Sequence, residues 1–80
     1  MKRVRIRLFA AYREAAGFET RARETGAETT RQLFEELCAE YGQLRAESAA
    51  LVAINDAMAD WDSRVSDGDE VLFFPPVAGG

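Results

Sequence analysis

The first strand announces itself by alternation. Val4, Ile6 and Leu8 fall on one parity and Arg3, Arg5 and Arg7 on the other. That period of two marks a strand with one face buried and one face wet. Phe9 shares the parity of the arginines, so the outer face is not wholly polar. Residues 10–17, AAYREAAG, read as a short helical turn closed by Gly17. A second strand is expected over residues 18–23, with a weak pattern because Thr20, Ala22 and Glu24 share one face. Gly26 marks a loop, and the main helix runs from about Thr30 to Tyr41. Thr29 suits the N-cap, and Gln32 completes a capping box. Leu33, Phe34, Leu37, Cys38 and Tyr41 recur at helical spacing and form one apolar stripe, with Glu35, Glu36 and Glu40 off it. Gly42 is expected in the left-handed position beyond the helix end.

The second half is punctuated by turns. Residues 43–50 read as a connection with some helical character, and Leu51 to Ile54 as a third strand. Asn55-Asp56 is a turn, with Ala57-Met58 as a brief returning strand. Trp61 and Val65 are expected at the edge of the core. Asp67-Gly68-Asp69 is a strong turn signal. Glu70 to Phe74 is the last strand, and Pro75 and Pro76 end it because proline removes the ladder donor. The order predicts an α+β fold: a mixed sheet with one main helix packed across one face.

Composition narrows the chemistry. The chain has 80 residues, 48% hydrophobic and 30% charged. That is one domain with one small core, burying about 60–65% of its extended surface. One cysteine and no histidine leave no internal disulfide, no common structural zinc set and no Ser-His-Asp or Cys-His catalytic arrangement. Cys38 lies in the apolar stripe, which favours a buried structural thiol. No apolar run reaches membrane-spanning length, and the basic N-terminus lacks the apolar stretch of a signal peptide. Cytoplasm is the expected compartment. Residues 1–24 carry a net charge of +4 and residues 25–80 a net of -8. An acidic chain is a poor match for nucleic acid phosphates and a better one for a basic protein partner. Asp67 and Asp69 resemble a carboxylate pair, but they flank Gly68 and serve a turn; a metal would need more ligands.

The terminus FFPPVAGG carries the most information. Two prolines project the following residues away from the domain in an extended path. Val77 offers one apolar anchor, and Gly79 and Gly80 have no side chain to obstruct a narrow slot. The chemistry that fits is at the Gly80 carboxylate. A free carboxylate is a poor electrophile and needs activation by another enzyme, for example as an acyl adenylate. Glycine leaves the activated carbonyl unhindered. A frayed tail of no function is the competing reading.

The chain resembles the sulfur-carrying small subunits of molybdopterin synthase, in the ubiquitin-like, ThiS-like family. The resemblance covers essentially all 80 residues. It rests on RIRLFAAYREAAG near the start, on AINDAM around Asn55, and most of all on DGDEVLFFPPVAGG at residues 67–80. It implies a β-grasp domain over residues 1–76 and a tail over residues 77–80. It implies that an adenylating enzyme activates Gly80 with ATP and that a persulfide donor turns the adenylate into a thiocarboxylate. The carrier would then dock on the large subunit in a heterotetramer and give sulfur to a cyclic pyranopterin monophosphate. No cofactor would be bound by the carrier itself, and no nucleic acid or membrane is implied as a partner.

Gly79 and Gly80 are then the reacting end. Strand parity puts Leu72 and Phe74 opposite Val71 and Phe73. Together with Phe9 they form the expected docking patch, and Pro75, Pro76, Val77 and Ala78 continue it into the tail. Three alternatives remain open: a sulfur carrier for thiamin or tRNA thiolation, a protein modifier joined through Gly80 to lysine, and an interaction domain with an incidental tail.

Overall fold

The computed structural model describes residues 1–76. Seven elements follow one another: β1 (Lys2–Leu8), α1 (Ala10–Ala16), β2 (Thr20–Thr25), α2 (Thr30–Glu40), β3 (Leu51–Ile54), β4 (Ala57–Ala59) and β5 (Glu70–Phe74). The sheet order is β2-β1-β5-β3-β4. β1 and β5 pair in parallel at its centre, while β1–β2, β3–β4 and β3–β5 are antiparallel. The last strand is therefore the middle strand, held on both sides. Among the described residues no helix is long and apolar enough to cross a membrane.

The alternation in β1 does what its period requires. Val4, Ile6 and Leu8 are buried, with Arg3 and Arg5 exposed on the other face. Register then places Ile6 beside Val71 and Leu8 beside Phe73, and Val52 beside Phe73 from the other side. α2 lays Leu33, Phe34 and Leu37 over this set. An aromatic cluster closes one end, with Phe34 to Phe73 at 4.8 Å and Phe34 to Trp61 at 5.6 Å between ring centroids. Val65 is buried and Trp61 packs against the core from the irregular segment, as expected. That segment crosses the start of α2, where Thr30 N–H donates to Ser63 O and Val65 N–H donates to Glu28 O.

Several boundaries differ from the expectations. β2 begins at Thr20, two residues later than predicted, because Phe18 turns into the core beside Tyr41 at 5.5 Å and lies outside the ladder. α1, by contrast, falls where expected, over Ala10–Ala16, with Gly17 left-handed at φ 86° as its stop. Gly42 does not take the left-handed position. α2 ends instead at Tyr41 in extended backbone (φ -110°, ψ 95°), whose N–H donates to Leu37 O. The capping box is offset by one residue: Thr29 Oγ1 accepts from Gln32 N–H, but Gln32 Oε1 accepts from Glu28 N–H, not from the cap itself. Residues 43–50 carry turns and no helix; buried Leu44 and Ala50 pin them to the core.

Candidate functional site

Among the described residues no second layer of helices covers the face of the sheet opposite α2, so its composition is decided by strand parity. Register lines up Thr20, Arg7, Leu72, Ala53 and Met58 across β2-β1-β5-β3-β4. The next row toward the chain's end pairs Phe74 with Leu51. The row on the other side pairs Ala22 with Arg5 and Arg5 with Glu70. One half of the open face is thus apolar and the other half is charged.

The apolar half lies at the root of the tail. Phe9 and Phe74 stack with centroids 4.5 Å apart and planes 12° from parallel. Offset aromatic pairs of this kind contribute about 0.5–1.5 kcal/mol beyond area burial. The stack exists because the chain turns sharply after Phe9: Ala10 has φ 50°, a left-handed conformation that costs an alanine about 1 kcal/mol. That turn starts α1 while leaving the Phe9 ring over the end of β5. The Arg7 guanidinium lies 5.5 Å from the Phe9 centroid. Both rings stay half-buried, and Pro75 and Pro76 beside them are half-buried too.

The expected docking residues fare differently. Phe9 and Phe74 are brought together. Pro75 and Pro76 follow directly from β5. Leu72 is on the predicted face but only 5% exposed, between Arg7 and Ala53 in register, so it forms the floor of the patch rather than its surface. Val77, Ala78, Gly79 and Gly80 lie outside the described residues. Two further residues belong to the patch and were not singled out from the sequence: Leu51 at 52% and Met58 at 64% exposure. The two-residue Asn55-Asp56 turn holds the signal that finds them. Both of its residues have positive φ, and it pairs Ile54 with Ala57 and Ala53 with Met58, so parity could be counted outward from it.

β5 is anchored at its start by a polar hub. Asn55 Nδ2 donates to Asp69 Oδ1 at 3.0 Å, and Asn55 Oδ1 accepts from Glu70 N–H at 2.9 Å. Asp69 Oδ2 accepts from Ser66 N–H, Asp67 Oδ1 from Arg3 N–H, and Gly68 turns at φ 88°. Asp69 thus braces the turn and ties it to Asn55, while Asp67 ties it to β1. Among the described residues no group of three or more His, Cys, Asp or Glu side chains is placed to hold a metal ion.

An open hollow of about 650 Å³ adjoins the tail root, lined by Phe9, Ala10, Ala11, Phe74, Pro75 and Pro76, with Glu47 reaching it from the connection before β3. A cleft of about 410 Å³ lies between α2, residues 46–48 and Trp61, and shares Glu47 with the hollow. Cys38 is half-buried; burial pushes its thiol up, partly opposed by the Ala46 backbone, and so keeps it protonated at neutral pH. Burial, followed by the Glu47 and Cys38 charges, also raises the Tyr12 phenol.

Comparison with known proteins places this geometry. The ThiS family model matches residues 6–80. The molybdopterin synthase sulfur carrier subunit of Escherichia coli K12 is 34% identical over 82 residues, covering 96% of this chain and 99% of that protein. The solved structure of a putative molybdopterin converting factor subunit 1 from Pyrococcus furiosus has a TM-score of 0.82 at 28% identity, covering 96% of this chain and all (100%) of that one. In the complex of subunits 1 and 2 of the molybdopterin-converting factor from Helicobacter pylori, one chain matches with a TM-score of 0.65 at 26% identity, covering 98% of this chain and 99% of that one. The fold is thus the ubiquitin-like β-grasp.

Proposed function

This chain belongs to the ThiS family, and from that premise we propose that it is the sulfur carrier subunit of a molybdopterin synthase. The observation that carries the reading is the placement of β5. The strand is central, it runs straight into Pro75-Pro76, and an apolar aromatic platform flanks the point where the tail leaves. A domain so built can hold a partner by one face while its terminus enters that partner's site. The composition agrees, since no histidine is present to serve as a general base near neutral pH.

The chemistry then runs through the Gly80 carboxylate. An adenylating enzyme transfers AMP from ATP to the carboxylate and releases pyrophosphate. The terminal sulfur of a persulfide attacks the acyl carbon, AMP leaves, and thiol cleavage of the remaining S–S bond frees the thiocarboxylate. The large subunit receives the tail, and the thiocarboxylate sulfur attacks a side-chain carbon of a cyclic pyranopterin monophosphate, displacing the oxygen bonded there; a second carrier repeats the step at the neighbouring carbon, so that two sulfurs form the dithiolene. Hydrolysis of the resulting thioester returns Gly80 as a carboxylate. Acid–base and anion-binding groups come from the large subunit. The likeness to one chain of the Helicobacter pylori complex supports such a partner.

Reconstitution tests this. Thiocarboxylated protein, large subunit and cyclic pyranopterin monophosphate are mixed, and the dithiolene product is assayed. Product is expected with the full chain and none with a chain lacking Gly80. Equal product from the truncated chain overturns the reading. Intact mass separates the modifier alternative: a carrier is heavier only by the difference between sulfur and oxygen, whereas a modifier appears as larger conjugates.

A further inference from the structure

We propose that the hollow at the tail root receives a lysine or arginine side chain of the large subunit, and that Glu47 is the carboxylate that selects it. The inference rests on the reading above, that a large subunit accepts the tail, and adds what that subunit must present.

The walls set the first requirement. Phe9, Phe74, Pro75 and Pro76 supply apolar surface, and Ala10 and Ala11 keep the space open because each carries only a methyl group. The volume of about 650 Å³ exceeds that of any single side chain, so a long one enters without displacing the Phe9–Phe74 stack. Pro75 and Pro76 belong both to this hollow and to the start of the tail. A partner that draws in the tail is therefore brought against the hollow as well.

Glu47 sets the second requirement. Among the described residues it is the only ionisable side chain lining the hollow. Among the described residues no Lys or Arg lies within ion-pair distance of it, although five other glutamates or aspartates have such partners. Arg7, the cation nearest the aromatic stack, does not line the hollow and has Glu19 at 3.9 Å. An apolar group closing over this space would take water from one side of an exposed carboxylate and offer it no partner in return. An acidic group would be repelled. A lysine or arginine satisfies both features: its methylene stem lies on the apolar walls and its cation meets Glu47.

The test is calorimetric titration of the full chain with the large subunit, at about 50 mM and about 300 mM salt. Glu47→Gln is expected to weaken binding about fivefold at low salt and less at high salt. Glu47→Lys is expected to weaken it about thirtyfold or more. Ala11→Phe fills the space with the charge intact and is expected to weaken binding about tenfold. Glu47 is exposed, so its variants should melt within about 2 °C of the wild type; should Glu47→Lys melt lower, Glu47→Gln alone decides. Phe74→Ser separates the two levels. If it weakens binding tenfold or more while both Glu47 variants bind as wild type at both salts, the hollow's role is overturned and the carrier reading stands. If Phe74→Ser also binds as wild type, docking through this face fails, and the inference fails with it.

Discussion

Replacing Asn55 with alanine should loosen the sheet at the strand that carries the tail. Asn55 turns the β3–β4 hairpin at φ 52° and binds the base of β5 through both atoms of its amide. Alanine loses two side-chain hydrogen bonds, each contributing about 1 kcal/mol net. It also bears the left-handed backbone less well than asparagine, by about 1 kcal/mol. The bonds are partly solvated, so the expected loss is about 2–3 kcal/mol. For a domain of this size that lowers the melting temperature by about 10–20 °C. Urea unfolding followed by circular dichroism measures it, with an unchanged slope showing that the folded state is intact. Asn55→Gly keeps the turn without strain and should recover about 1 kcal/mol relative to alanine. Asn55→Asp puts a second carboxylate against Asp69, so the new group's folded pKa rises. That variant should gain stability relative to wild type as pH falls through the carboxylate range. A loss under about 0.5 kcal/mol for Asn55→Ala, or an Asp variant as stable as wild type at neutral pH, would refute the hub.

Two further predictions concern pH and reactivity. The Glu40 carboxyl is held low chiefly by its hydrogen bond from Arg23 Nη1 at 2.6 Å. A depressed folded pKa means the contribution is present at neutral pH and lost as pH falls through that folded value; the melting temperature of Glu40→Gln should therefore approach that of wild type at acid pH, and a gap constant with pH would contradict this. The Cys38 thiol, raised by burial, should alkylate with iodoacetamide at neutral pH more slowly than free cysteine. Parity of the two rates would show a thiolate the structure does not hold.

Local pattern was enough for much of the chain. The alternation of β1, the stripe of α2, the Thr29 cap and the bounds of β3 and β5 are all legible, because each depends on neighbours within a few residues. The end of β5 at Pro75-Pro76 was legible for the same reason. The misjudged boundaries fall where distant contacts override local preference. Phe18 leaves its strand because Tyr41 and the Arg21 guanidinium, 4.5 Å from its ring, give it a better site. Gly42 is not needed as a left-handed stop because a turn closed by Leu44 N–H donating to Tyr41 O carries buried Leu44 into the core.

What the sequence determined alone was the inventory: which residues are apolar on which parity, where the turns fall, and the terminal motif FFPPVAGG. What only the tertiary structure decided was adjacency. Pairing the first strand with the last, in parallel, set Phe9 on Phe74, and pairing β3 antiparallel to β5 put Leu51 and Met58 on that same face. Residues so far apart in sequence are joined by burial of the whole sheet, a collective free energy that no local window contains.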